Sequence, residues 1–266
     1  MNRFEILNRI YTNPVKKVVE ENYRVKSIEI DHEMEALPGQ FLMVWMPGEG
    51  ERPMSIGNNK PLTISVADVG KVSSRICALK EGDPISYRGP FGRPFDFPRK
   101  GKKILVIGGG YGIVPLYFLA KTAKENGLEA YGIVGGRTGK DIIFEKQLFA
   151  VCKEAFITTD DGSRGKKGTV MAEAEELIEN RGFGCVYACG PEKMMKAVAE
   201  MCKKHGVPCE VSLERYMKCG VGVCGSCAIN GKLTCLEGPV FSGEDALKMT
   251  EFGSKCRDAS GKAVNV

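Results

Sequence analysis

The sequence predicts a multi-domain protein of α and β structure. An N-terminal antiparallel β-barrel spans residues 1–97, a doubly wound parallel α/β domain spans 98–210, and a small metal-stapled tail spans 211–266. Three observations carry this prediction. Short β-rich runs separated by Gly/Pro turns fill the first third of the chain. Strands and helices alternate through the middle. Near the end, four cysteines crowd into the seventeen residues CGVGVCGSCAINGKLTC (219–235).

The barrel strands are read in YRVKSIEI (23–30), GQFLMVWMP (39–47), PLTISVADV (61–69) and DPISYRGPFG (83–92). The turn signals LPG, PGEGERP and KEGDP separate them. The segment RPMSIG (52–57) falls between two strands. Its arginine offers a fork for a phosphate and Ser55 a hydroxyl for a ring edge, although a plain hairpin with an exposed arginine fits as well.

At residue 98 the pattern changes. An apolar strand at 104–107 runs into GGGYGIVP (108–115), and a helix follows to about Asn126-Gly127. EAYGIVGG reads as a strand, DIIFEKQLFAVC as a helix, AFITTDDGS as a strand and TVMAEAEELIEN as a helix. GCVYACGP is another strand and EKMMKAVAEMCKKHG the last helix. Glycines at a strand-to-helix turn let backbone approach a pyrophosphate, and the helix N-terminus presents free N–H groups to it. Pro115 stands where the third glycine of G-x-G-x-x-G belongs, so a turn without a ligand remains a second reading. CGP (189–191) occupies another strand end, the edge at which ligands bind in such sheets.

The tail is too short to bury much core and requires a staple. Cys-x4-Cys-x2-Cys is the plant-type [2Fe–2S] spacing, whereas zinc ribbons favour two short Cys-x2-Cys pairs. Gly220, Gly222 and Gly225 suit a loop folded tightly around a cluster, and Asn230-Gly231 marks a two-residue hairpin before Cys235. The other seven cysteines are dispersed, and an odd total of eleven argues against a disulfide framework.

Composition excludes other classes. A net charge of +5 is spread among acidic residues, and the basic stretches at 98–103 and 163–168 lack aromatics for base stacking. No apolar run approaches the ~20 residues of a membrane span, and the N-terminus lacks a signal-peptide apolar core. A cytoplasmic protein without nucleic-acid or membrane partners is expected.

In this order, the barrel with RPMSI, the parallel domain with GGGYGIVP and CGP, and the four-cysteine tail resemble the ferredoxin–NADP reductase superfamily. More narrowly, over about residues 15–245, they are similar to the electron-transfer subunits of dihydroorotate dehydrogenase B. The resemblance implies an FAD-binding barrel, a Rossmann-like NAD-binding domain and a [2Fe–2S] domain. It assigns FAD to Arg52, Pro53, Met54, Ser55 and Ile56, to Ile64 and Ser65, and to Gly70, Val72, Ser73 and Ser74 of the turn GKVSS. It assigns the nicotinamide nucleotide to Gly109, Gly110, Gly112, Asp160, Asp161, Cys189, Gly190 and Pro191. The cluster falls to Cys219, Cys224, Cys227 and Cys235, and the family-like EGPVF that follows favours Cys235 over Cys256.

The implied activity moves electrons from a separate FMN-bearing dihydroorotate dehydrogenase subunit, in a heterotetramer, through the cluster and FAD to NAD+. No acid–base catalytic residue of this chain is required, and His32 and His205 read as structural or surface residues. Arg137 follows the second parallel strand, where an NAD enzyme often carries an acid, so NADP is an alternative. Flavin subunits of ferredoxin:NADP transhydrogenases, sulfide dehydrogenases and cytoplasmic hydrogenases share this layout. A zinc-stapled interaction protein without enzymatic activity is a further alternative.

Overall fold

The computed structural model describes residues 9–98 and 100–266. The N-terminal octet, part of the segment read as lacking a signal peptide, lies outside the described residues, as does Arg99 of the basic stretch.

Six strands close an antiparallel barrel in the order β1-β2-β5-β4-β3-β6. They are β1 (Tyr11–Glu20), β2 (Val25–Ile30), β3 (Phe41–Met46), β4 (Gly50–Asn59), β5 (Leu62–Ala67) and β6 (Pro84–Phe91). Helix α1 (Lys71–Cys77) lies between β5 and β6. Two of these strands escape the sequence pattern. Pro14 and three lysine or glutamate neighbours disguise β1. Residues 50–59, read as turn and hairpin, form the full strand β4, paired with β3 on one side and β5 on the other. Low β-propensity at Gly, Pro and Asn is overridden by two neighbouring ladders. Inside, Ile28, Ile30, Leu42, Ile56, Leu62, Ile64 and Ile85 are fully buried.

The second sheet has the order β10-β9-β8-β7-β11-β12-β15. Its strands are β7 (Lys103–Gly109), β8 (Glu129–Gly136), β9 (Glu154–Thr159), β10 (Lys166–Lys167), β11 (Cys185–Cys189) and β12 (Cys209–Ser212). The helices are α2 (Ile113–Glu125), α3 (Glu145–Val151), α4 (Val170–Arg181) and α5 (Glu192–Lys204). Helix α3 is shorter than DIIFEKQLFAVC suggested, because Phe144 adopts a left-handed conformation (φ 58°) that stops a helix from starting earlier. The order reverses between β7 and β11, which opens a crevice at their C-terminal ends.

Strand β12 crosses the 210/211 division, and the tail adds the antiparallel strand β15 (Val240–Ser242) to the sheet. The tail also contains the hairpin β13–β14 (Ala228–Ile229, Lys232–Leu233), α6 (Thr234–Glu237), α7 (Gly243–Lys248) and the hairpin β16–β17 (Lys255–Arg257, Ala263–Asn265). Phe41, Met43 and Phe91 of the barrel bury against Met217, Cys227 and Cys235, so the tail shares its core with the barrel.

Barrel and α/β domain join through α2 and β4. Gly57 faces Val114 so closely that a Cβ at position 57 would stand 2.8 Å from Val114 Cγ1. Lys121 Nζ donates to Asn58 Oδ1 at 2.7 Å. On the linker, Tyr187 hydroxyl donates to the Asp96 carbonyl (2.6 Å) and Asp96 N–H donates to Glu210 Oε2 (2.9 Å).

Two outcomes follow for stability. Gly57→Ala loses roughly 1–3 kcal/mol to overpacking in denaturant unfolding, and a second change, Val114→Ala, restores part of it; a fully tolerated Gly57→Ala would contradict this packing. Burial, opposed by the Asp96 N–H and reinforced by the Asp96 carboxylate, lifts the Glu210 carboxyl to about 7. The unfolded chain releases this proton at lower pH than the folded one. Stability therefore falls as pH rises from the ordinary carboxylate range to about 7, and levels off above it. Glu210→Gln should flatten that slope and gain up to roughly 2 kcal/mol at pH 8, measured by pH-dependent unfolding.

Candidate functional site

The cysteine loop begins where β12 hands the chain to the barrel surface. Gly220, Gly222 and Gly225 have φ of 73°, 81° and 72°, a region that excludes most side chains. At Gly220 a Cβ would also meet Met43 Cγ at 2.7 Å. Asn230 (φ 43°) and Gly231 (φ 80°) form the hairpin turn, and Asn230 is tied to Glu251 and Thr250. Arg88 of β6 pairs with Glu51 at 2.6 Å and donates to the Cys219 carbonyl at 3.0 Å, fixing the loop to the barrel.

The four sulfurs are arranged in two pairs. The Cys224 thiol is acted on by Cys219, and the Cys227 thiol by Cys235. Val221 and Val223 N–H groups point at Cys219 Sγ, and Cys235 N–H at Cys227 Sγ, each at 3.4 Å. Contact with Cys235, partly opposed by burial, brings the Cys227 thiol down to about 6. At Cys224 burial pushes upward, but hydrogen bonds from Ser226 and Cys219 win and bring the thiol down to about 7. Among the described residues no three of these sulfurs lie within 4.8 Å of one another. Two thiol pairs with N–H groups aimed at sulfur suit a two-iron cluster, one pair to each iron. Cys256 lies apart, on β16.

The flavin-type residues divide by environment. Ile56 and Ile64 point into the barrel core and leave only backbone for a ligand. Ser55 is exposed, and Pro53 and Met54 are half-buried on the same strand. Arg52 donates to the Glu51 carbonyl, and its guanidinium lies 5.1 Å from the centre of the Tyr216 ring. Ser65 hydroxyl is bonded to Ser27 at 2.7 Å. Val72 and Ser73 are buried; Ser73 hydroxyl accepts from the Val69 and Gly70 N–H groups, and Ser74 hydroxyl bonds Asp68 and the Gly70 carbonyl. These serines therefore shape the turn, while the first N–H groups of α1 have no partner within the helix.

The nucleotide-type motifs come together at the crevice. Gly110 has φ 55°, and a Cβ at Gly112 would collide with the Cys189 carbonyl. A Cβ at Gly109 would stand 2.6 Å from Pro191 Cδ, and one at Gly190 (φ 147°) 2.8 Å from Gly109 N. Pro115 sits in the first turn of α2, where no N–H is needed, so its replacement of the third glycine is no obstacle. Asp160 and Asp161 lie further along the same edge, after β9; Asp161 accepts from Ser163, and Asp160 is exposed. Arg137 is exposed at the end of β8.

Sequence reasoning missed Glu214, Tyr216 and the side chain of Tyr111. Glu214 is exposed, and Tyr111 is 44% exposed. Burial, then the neighbouring Glu192, raises the Glu214 carboxyl. Glu214 in turn, with burial, raises the Tyr111 phenol to about 12. Burial and then Glu214 push the Cys189 thiol to about 12, so it is a neutral thiol at pH 7. The one signal in the sequence at Glu214 and Tyr216 is that LERY (213–216) ends three residues before Cys219.

Two families match the chain. The iron-sulfur cluster binding domain of dihydroorotate dehydrogenase B matches residues 214–246, and the oxidoreductase NAD-binding domain matches 106–200. Among curated relatives, the probable dihydroorotate dehydrogenase B (NAD(+)) electron transfer subunit of Methanocaldococcus jannaschii is 38% identical over 94% of this chain and 96% of its own length. That of Pyrococcus furiosus is 43% identical over 92% and 96%. A chain from the solved NADH-dependent reduced ferredoxin-NADP oxidoreductase, described for flavin-based electron bifurcation, is 34% identical. It superposes with a TM-score of 0.79 over 87% of this chain and 88% of that one. Ferredoxin-NADP+ reductase from Plasmodium falciparum shares the fold, with a TM-score of 0.60 at 17% identity, over 73% of this chain and 91% of its own.

Cys235→Ser should cut iron per protein to under half of wild type and erase the cluster's electron paramagnetic resonance signal. Cys256→Ser should leave both intact. Equal iron loss in the two variants would contradict the ligand set.

Proposed function

The chain belongs to the family of dihydroorotate dehydrogenase B electron-transfer subunits, and on that premise we propose that it carries electrons between a dihydroorotate-oxidising subunit and NAD+ in pyrimidine biosynthesis. It is an NAD-linked flavin and iron–sulfur oxidoreductase subunit whose cofactors are FAD, a [2Fe–2S] cluster and NAD. One observation carries the reading: β4 touches both other sites. Gly57 of β4 lies against Val114 behind the glycine loop, and Arg52 lies against Tyr216, three residues before Cys219.

A cluster exchanges single electrons, a flavin one or two, and nicotinamide only a hydride pair, so FAD supplies the conversion. The protein's own part is to bind and orient. Gly110 and Gly112 open the α2 N-terminus to a pyrophosphate, and the Gly70–Ser74 turn does the same at α1. Cys189, a neutral thiol, and Glu214 would border the nicotinamide ring. Cys219 with Cys224, and Cys227 with Cys235, would hold the cluster.

An electron-transfer subunit works with a catalytic partner. We propose an FMN-containing dihydroorotate dehydrogenase subunit, in a heterotetramer, docking near the exposed Cys224. Val223 there is 83% exposed and Leu236 43%. The eleven unpaired cysteines suit a reducing cytoplasm. Among the described residues no helix is long and apolar enough to cross a membrane.

A second reading, a flavin subunit of a ferredoxin:NADP transhydrogenase, is favoured by the 34% identical bifurcating oxidoreductase chain and by the exposed Arg137. Co-expression with the dihydroorotate-oxidising subunit decides between them. The first reading expects a stable complex that reduces NAD+ with dihydroorotate, while this chain alone oxidises NADH only with artificial acceptors. Absence of such a complex, together with at least tenfold preference for NADPH, would overturn it.

A further inference from the structure

The nucleotide site described so far is built from the α/β domain and the tail. The barrel reaches the same cleft through the β1–β2 turn, residues 21–24. Internally, Asn22 Oδ1 accepts from the N–H groups of Arg24 (3.1 Å) and Val25 (2.9 Å). Externally, Val25 is buried in the core of the α/β domain. Asn22 Nδ2 donates to the Lys140 carbonyl at 3.1 Å, and the Tyr23 hydroxyl donates to Asp141 Oδ1 at 3.0 Å. The other Asp141 oxygen accepts from the N–H and the hydroxyl of Thr138, both at 3.1 Å. The barrel turn and the loop after β8 are thus bonded into one unit.

Arg24 is the barrel's cation in that unit, beside Arg137 and Lys140 of the loop after β8, and its side chain is 41% exposed. Its Nη2 is 4.0 Å from Asp141 Oδ1, a separation that leaves its N–H groups free for a stronger acceptor. The guanidinium is also near enough to Tyr111 to oppose the rise that Glu214 and burial impose on that phenol. Tyr111 belongs to the glycine loop at the end of β7, and β7 pairs Gly109 with Gly135 of β8. Arg24 therefore stands at the loop after β8, one strand across from the glycine loop. A bound dinucleotide must cross that span with its pyrophosphate and adenosine ribose. The segment 108–115 brings N–H groups to the pyrophosphate but no charged side chain. Two negative phosphates need a cation, and a guanidinium matches phosphate oxygens in pairs.

We propose that Arg24 is a nucleotide-binding residue supplied by the flavin barrel, its guanidinium engaging the pyrophosphate of the nicotinamide nucleotide, with Asn22, Tyr23 and Asp141 holding it in place. The inference rests on reading the glycine loop as the nicotinamide-nucleotide site. It adds a contact from the other domain, so that bound nucleotide ties the two domains together.

The test uses the cofactor-loaded protein, with ADP-ribose binding by calorimetry and steady-state oxidation of NADH and NADPH. Arg24→Ala should weaken ADP-ribose binding roughly tenfold and raise KM by a similar factor, with kcat falling far less. Because both nucleotides share the pyrophosphate, their KM values should rise in parallel. Arg24→Lys should recover part of the loss, and Tyr23→Phe should give a smaller one. Wild-type ADP-ribose affinity in Arg24→Ala, with the flavin spectrum intact, would overturn the proposal, as would a rise in KM for NADPH alone. A wild-type protein that binds neither ADP-ribose nor NADH would instead overturn the underlying reading of the glycine loop.

Discussion

The contact between α2 and β4 is the constraint on which the rest of the molecule depends. One strand carries the flavin-type segment and one helix starts at the nucleotide-type loop, and they touch because Gly57 has no side chain where Val114 packs. The Lys121–Asn58 hydrogen bond runs beside that contact. Electron exchange between two bound groups demands a fixed separation, and a close-packed helix on a strand supplies it better than a loop would. The topology adds the remainder. The reversal of strand order between β7 and β11 brings Cys189 and Gly190 directly onto Gly109 and Gly112.

The cysteine tail is attached to that frame from two sides. Phe41, Met43 and Phe91 give it an apolar seat, and Arg88 holds the Cys219 carbonyl while paired with Glu51. Strand β15 then extends the α/β sheet, so the tail is braced by both domains. Truncating a sequence at the edge of the cysteine motif would remove a sheet strand as well as a metal loop.

How much of this could be read from sequence depended on whether a feature is local. The cysteine spacing, the glycines with positive φ and the Asn-Gly hairpin are properties of a short segment, and they stand where the sequence puts them. The alternation of β7 to β11 with α2 to α5 was legible for the same reason, since buried parallel strands are near-continuous apolar runs. Strand β4 was not, because GERPMSIGNN looks like a turn until two neighbouring strands pair with it. Helix α3 was overextended, because nothing in DIIFEK announces the left-handed Phe144. Glu214, Tyr216 and Arg24 gain meaning only from what tertiary structure sets beside them, and no periodicity marks such residues. Ile56 and Ile64 show the reverse limit. Motif membership suggested ligand contact, whereas alternation along a half-buried strand turns both side chains into the barrel core.

The central claim is that one chain holds a flavin, a two-iron cluster and a nicotinamide nucleotide in electronic contact. Anaerobic titration of the purified holoprotein with NADH, followed by visible and electron paramagnetic resonance spectra, tests it most directly. An oxidised flavin should bleach, and a reduced [2Fe–2S] signal approaching one spin per chain should appear. A protein containing zinc in place of iron, or a cluster that NADH leaves oxidised while the flavin bleaches, would contradict it.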